Sequence, residues 1–318
     1  GQQQTGTVGQ AADTQYGSLT VNADGTWSYT SDASVSGDGV SDPFTYIVTD
    51  ADGDTSSATQ NIVLGDSGPE IEFPGDEPGD PATETGSTGL DEDDLAAGGS
   101  DQSDATSVTK PVTVDFGNDG PAATDPLVLE IPDGLANAGL TSGGEPVSFT
   151  LSSDGMTITG SAGGDEVLSI SLSGDPQNGY SYTATLSQPL DHATGAGENA
   201  VDNLPFTVVA TDADGSVARA GIEVDIVDDV PTANDEAAVS VTEAQGSVSG
   251  NVLGNDELGA DGAELTSFTY ADANGDQQTA AAGSTVTTEY GELTVNADGS
   301  WTFAVESGLG NIETALED

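Results

Sequence analysis

Apolar residues recur at every second position through much of the chain. Phe44, Tyr46 and Val48 alternate with polar neighbours, and so do Val112, Val114 and Phe116, Leu127, Leu129 and Ile131, and Val147, Phe149 and Leu151. The pattern continues in Leu168, Ile170 and Leu172, in Tyr180 and Tyr182, and in Ile222, Val224 and Ile226. A period of two puts these side chains on one face of an extended strand, and the Thr, Val and Tyr among them favour that conformation. The runs predict folded β structure rather than a disordered acidic chain. No stretch sustains a 3.6-residue spacing beyond a turn or two; only Leu309 to Leu316 reads as ambiguous.

The same pattern occurs twice. YGSLTVNADGTWSYT at residues 16–30 returns as YGELTVNADGSWTFA at 290–304, and residues 1–30 match residues 275–304 at 16 of 30 positions without a gap. A repeat at that separation marks a tandem array of modules. Within each copy Trp27 and Trp301 hold the same place in an alternating W-x-[YF], which predicts core residues sharing a face with Tyr29 and Phe303.

Punctuation divides the chain. IVLGDSGP ending at Pro69, VDFGNDGP ending at Pro121 and VDIVDDVP ending at Pro231 each run from a strand into acid, a small residue and proline, which cannot extend a ladder. The expected units are residues 1–66, the last part of one β-domain; 67–230, a whole and different domain; and 231–318, the first part of a second copy of the first type. Residues 70–110, rich in Pro, Gly, Ser and acid, are expected to be an irregular entry into the middle domain.

Charge changes the picture. Fifty-six acidic residues face two basic ones, for a net charge of −54. Such a chain repels nucleic acid phosphate and anionic membrane surfaces. It also resists compaction unless cations bind or salt screens it. There is no cysteine to form a disulfide, so any cross-link must be of another kind.

The acidic motifs offer one. TDADGD at Thr49–Asp54 and TDADGS at Thr211–Ser216 place alternate carboxylates in a short glycine turn, and ADANGD at Ala271–Asp276 is close to them. Calcium takes 6–8 oxygen ligands, which Asp50, Asp52 and Asp54 or Asp212 and Asp214 help to supply; the bland alternative is a plain Asp-Gly hairpin turn. NADG at Asn22–Gly25 and Asn296–Gly299 carries one acid and reads as a turn. If Phe206–Ala210 and Ala220–Val227 form the final hairpin, its turn lies at the end of the domain facing the preceding junction. Asp212 and Asp214 then approach Asp119. Asp66 belongs to the first proline junction, and Asp228, Asp229, Asn234 and Asp235 are expected to form a collar at the third. The alternative for all of these is solvated linker acid.

Enzyme readings find little support. His192, the one histidine, sits in QPLDHATGAG and reads as a surface loop residue rather than a general base. Zinc is not expected, for want of nitrogen and sulfur ligands. Carboxylate pairs of the glycosidase kind stay open among so many acids, although aromatics are only 5%.

Several stretches resemble very large bacterial surface adhesins exported by type I secretion (RTX-like). PTANDEAAVSVTEAQGSVSGNVLGND and FTYIVTDADGDTSSATQNIVL resemble the first and last strands of their VCBS and cadherin-like repeats. LDEDDLAAGGSD through VDIVDDVPTANDE is similar to their longer immunoglobulin-like repeats. The resemblance implies an all-β fold of tandem immunoglobulin-like (cadherin-like) β-sandwiches in an extended array, stiffened by Ca2+ at domain junctions. It implies a non-catalytic extender at the cell surface, working in adhesion and biofilm, whose partners are calcium and its neighbouring domains, with no membrane insertion. A self-associating matrix fibre, formed through the incomplete end domains, and a calcium-dependent glycan-binding module stand as alternatives.

Overall fold

The computed structural model describes residues 5–32, 40–65, 67–74, 85–96, 98–101, 106–136, 138–193, 195, 197, 199–242 and 244–306. Within them the chain is almost entirely β, and no helix is long and apolar enough to cross a membrane. Asp66 and the ambiguous stretch 309–316 lie outside the described residues.

The principal core lies between two facing sheets in the middle of the chain. One is six-stranded, in the order Ser148–Leu151, Thr157–Ala162, Asp165–Asp175, Gly179–Leu186, Ser107–Asp115 and Glu70–Glu72. The other is four-stranded, in the order Leu127–Glu130, Ala200–Thr211, Val217–Val227 and Thr85–Asp91. Ile158, Ile170 and Tyr182 of the first sheet and Leu129, Val208, Ile222 and Val224 of the second join one buried cluster. Side chains at period two thus fill the space between two twisted sheets, as in a β-sandwich. Each fully buried Leu or Ile contributes roughly 1.5–3 kcal/mol.

The acidic segment 70–110 is less irregular than its composition suggests. Thr85–Asp91 forms an edge strand parallel to Val217–Val227, and Glu70–Glu72 pairs with Thr113–Asp115. Its alternation exists but is written in small residues: Gly86, Thr88 and Leu90 point inward, and a Cβ on Gly86 would sit 2.9 Å from the Phe73 ring. Composition reads such a strand as linker because its buried face offers one large side chain.

The flanking units are thinner. The first carries a three-stranded sheet (Ala11–Asp13, Gly17–Val21, Trp27–Ser31), the hairpin Phe44–Thr49 with Thr55–Gln60, and the pair Val40–Ser41 with Val63–Leu64. The last carries a sheet ordered Ser247–Asn251, Ser300–Val305, Gly291–Val295, Ser284–Thr287, beside the hairpin Ser267–Ala271 with Gln277–Ala281. The repeated sequence forms the same paired strands in both: Leu19 faces Tyr29, and Leu293 faces Phe303.

The repeated tryptophans nevertheless differ. Ser247–Asn251 runs beside Trp301, where Gly250 lies so close that a Cβ would come within 2.8 Å of the indole nitrogen. Trp27 packs edge-on against Phe44 but is 44% exposed, so it is not the core residue its spacing predicts. No strand covers its outer edge among the described residues.

Candidate metal centre

The final hairpin of the sandwich positions the first cluster. Thr211 pairs with Val217, which leaves Asp212–Ser216 as the turn between Ala200–Thr211 and Val217–Val227. Asp212 shapes the turn: its Oδ1 accepts from the amides of Gly215 at 3.0 Å and Ser216 at 2.8 Å, and Gly215 takes φ +99°. Positive φ is cheap only for glycine.

A second segment closes over this turn. Pro121 bridges to Asp212, the Ala122 amide donates to Thr211 O, and the Ala213 amide donates to Gly120 O. Asp119 is thereby held against the turn, and oxygens of Asp119, Asp212 and Asp214 lie within 4.8 Å of one another. Only 1% of Asp212 is exposed, and its Oδ2 is buried without a hydrogen-bond partner among the described residues. Burial raises the Asp212 carboxyl above the usual aspartate range, and the neighbouring Asp214 adds to the rise.

The chain arriving from the first unit seats at the same end. The Asn118 amide donates to Ser67 Oγ at 3.1 Å. A Cβ on Gly117, at φ +68°, would meet Ser67 O at 1.9 Å. Ser216 lies against Gly68, 3.6 Å from where its Cβ would be. The cluster therefore sits where the first junction enters the sandwich.

Chemically it is an all-oxygen, carboxylate-rich site in which the buried Asp212 Oδ2 is unsatisfied. An orphaned buried polar atom costs roughly 1–3 kcal/mol, and a hard divalent cation relieves both that cost and the repulsion among the carboxylates. The two basic side chains act at other atoms: Arg219 pairs with Glu130 at 3.3 Å, and Lys110 donates to Ser87 O at 2.7 Å. The donor set fits calcium, with Asp119, Asp212 and Asp214 as the residues to hold it.

Asp50, Asp52 and Asp54 also lie within 4.8 Å of one another, but all three are exposed. Asp50 Oδ1 accepts from Gly53 N at 2.9 Å and Asp54 N at 2.8 Å. A hydrogen bond shared with Asp52, then one from the Asp54 amide, holds the Asp50 carboxyl below the usual range. Asp272 in ADANGD repeats the turn, accepting from Asn274 N and Asp276 N.

The collar at the third junction divides in two. Asn234 donates from its amide to Asp256 Oδ1 at 2.7 Å and from Nδ2 to Asn255 O, while Asn255 Nδ2 donates to Asp235 O. Asp229 is buried and accepts from Ser100 N at 2.9 Å and Ser100 Oγ at 2.6 Å. Asp228 accepts from Asn199 Nδ2 and groups with Glu92 and His192.

That last group corrects the reading of His192. Its side chain is 2% exposed, with Nε2 3.0 Å from Oε1 of a Glu92 side chain that is fully buried. The sequence shows only a histidine in a Gly- and Ala-rich stretch and a glutamate in the four-acid run Asp91–Asp94. The fold brings together residues a hundred positions apart, and no local signal in either stretch reports it.

No curated protein sequence matches the chain. Among solved structures, the extracellular domain of protocadherin gamma B4 is similar at 11% identity, covering 93% of this chain and 36% of that one, with a TM-score of 0.24. This chain thus spans about a third of that protein's length. A structure described as a Ca2+-stabilized adhesin that helps an Antarctic bacterium reach out and bind ice is similar at 14% identity, covering 91% and 79%, with a TM-score of 0.14. Extracellular cadherin domains 1–5 of protocadherin gamma B2 follow at 11% identity, covering 93% and 66%, with a TM-score of 0.15. Scores this low bear on neither fold nor function, and the all-β assignment rests on the strands themselves. Residues 2–63 match the family model of a bacterial Ig domain, and residues 87–225 match that of a domain of unknown function, DUF5801.

Proposed function

We propose that this chain is a calcium-stiffened spacer from an extracellular bacterial surface adhesin, a series of β-sandwich units that carry load and position rather than catalyse. The observation that supports it is the Asp119, Asp212 and Asp214 cluster at the mouth of the first junction, with Asp212 Oδ2 buried and unpartnered. The bacterial Ig domain match of residues 2–63 is in keeping with it.

Calcium supplies fixed positive charge there. Asp119 belongs to the segment that receives Ser67, and Asp212 and Asp214 belong to the last hairpin of the sandwich. Binding therefore ties the junction loop to the sandwich and restricts its hinge. Exported through low-calcium cytosol, the chain is loose; outside the cell it stiffens. Asp50, Asp52 and Asp54 form at best a weak, salt-screened site in this account, because water solvates all three.

Isothermal titration of calcium into the full chain and its Asp212→Asn variant tests the proposal. The wild type shows a site that magnesium does not fill, and the variant loses it. Identical isotherms for the two would overturn the assignment.

A second reading rests on the first unit, where Tyr46 and Val48, on one face of the strand Phe44–Thr49, are exposed, as is Trp27 beside Phe44. A second copy covering that face would make a fibre subunit. Sedimentation showing concentration-dependent growth would favour it, and a monomer throughout would remove it.

A further inference from the structure

At the opposite end of the sandwich, the edge strand Thr85–Asp91 runs into a 3-10 turn at Glu92–Asp94, with Asp91 accepting from Asp93 N at its start. That turn carries Glu92 inward beneath residues 190–192. Oε1 of Glu92 accepts from Leu190 N at 2.7 Å and lies 3.0 Å from His192 Nε2. Oε2 of Glu92 and Nδ1 of His192 are both buried and without partners among the described residues. A cavity of about 320 Å³ opens beside them, lined in part by His192, Asp228, Asp229, Leu258 and Asp261. Ala260, from the loop of the last unit, packs against the sandwich core next to it.

The group is unlike the other clusters in two ways. It contains a nitrogen donor, and its two central side chains are almost wholly withdrawn from water. The acids around it are Asp228, Asp229 and Asp261. Burial pushes the Glu92 carboxyl up to about 8, with Asp261, Asp228 and Asp229 adding to the rise against the Leu190 amide. The one hydrogen bond within the pair and that from the Leu190 amide both fall on Glu92 Oε1, leaving one polar atom on each side chain unsatisfied. Buried polar atoms are ordinarily paired, so the arrangement is short of a positive centre.

We propose that Glu92, His192 and Asp228 form a first-row transition-metal site of the zinc class, distinct from the calcium cluster and placed where the last unit meets the sandwich. Ligand atoms of the three lie within 4.8 Å of one another, near enough for one ion to reach all three with small side-chain adjustments. Imidazole with carboxylates suits zinc and its neighbours in the first row, whereas calcium takes oxygen. Three protein ligands beside a cavity leave room for water at the remaining coordination position. Metal there ties the edge strand, the 190–192 loop and the exit at Asp228 into one knot.

The site reports on itself, because His192 is the only histidine. Zinc chloride is titrated into the full chain while the single set of imidazole carbon-bound proton signals is followed by NMR, with calcium chloride as the parallel arm. One equivalent of zinc shifts these signals to saturation, and calcium in excess leaves them in place. Glu92→Gln, which keeps an acceptor for Leu190, weakens the zinc response by more than about tenfold. Asp228→Asn, at the rim, gives the same readout if Glu92→Gln fails to fold. The proposal stands apart from the calcium reading: Asp212→Asn leaves the zinc response unchanged. Imidazole signals that ignore zinc, or that follow calcium equally, overturn it.

Discussion

The hexapeptides Thr49–Asp54 and Thr211–Ser216 differ in one residue, fold into the same turn and arrive at opposite electrostatics. In both, the first aspartate accepts from two amides on the far side of the turn, and the glycine takes φ +99°. In the first, hydrogen bonds lower the carboxyl's pKa; in the second, burial raises it. What separates them lies outside the motif. Gly120–Ala122 closes over Asp212 and brings Asp119 with it, whereas Asp50, Asp52 and Asp54 all stay in water. The motif builds a turn, and docking buries one copy's first carboxylate beside those of Asp119 and Asp214.

The largest effect that would break this comparison is at Asp212. At calcium a hundredfold above the dissociation constant, binding linkage is worth about 2.7 kcal/mol. Urea denaturation in calcium should show the wild type losing about that much in Asp212→Asn. In chelator the two should lie much closer, because the variant removes a buried charge that has no cation to meet.

Gly117 tests docking without touching a carboxylate. Its positive φ, and the 1.9 Å that would separate an added Cβ from Ser67 O, make any side chain there strained. Gly117→Ala should cost roughly 1–3 kcal/mol and weaken calcium binding in titration. Unchanged affinity would mean that the junction loop does not hold Asp119 in place.

Asp42 sharpens the contrast with a buried carboxylate that has partners. It is 8% exposed, and its Oδ2 accepts from Tyr29 Oη at 2.8 Å and Tyr16 N at 3.2 Å. Burial pushes its pKa up, but hydrogen bonds from Thr14, Tyr29, Tyr16 and Gln15 outweigh that, and the net shift is downward. A lowered folded pKa adds stability that is complete above the ordinary value of about 3.9 and is lost as pH falls through the lowered one. Tyr29→Phe should destabilise the first unit by about 1.5–3 kcal/mol and flatten its acid limb, read by circular dichroism against pH. The smallest effect is Asp52→Asn, expected within about 0.5 kcal/mol of wild type with or without calcium.

The strands were legible wherever the inward face carries large side chains, as at Leu168, Ile170 and Leu172, which are all buried. They were illegible at Thr85–Asp91, whose inward face is Gly86, Thr88 and Leu90. Strand direction was enough to bring Asp119 toward Asp212 and Asp214, since a hairpin's turn and its exit lie at opposite ends. The Glu92 and His192 pair was beyond reach: it depends on a parallel edge strand and a loop meeting a hundred residues apart. Trp27 and Trp301 mark the same boundary, for near-identical local sequence leaves one ring beside a strand and the other half in water.

The central claim is that Asp119, Asp212 and Asp214 hold calcium rather than merely attract counterions. Thermal melts of the full chain in chelator, in millimolar calcium, in millimolar magnesium and in sodium chloride of matched ionic strength test it most directly. The account predicts that calcium raises the melting temperature by several degrees beyond the other salts. An equal rise in calcium, magnesium and sodium would contradict it, reducing the cluster to screened surface charge.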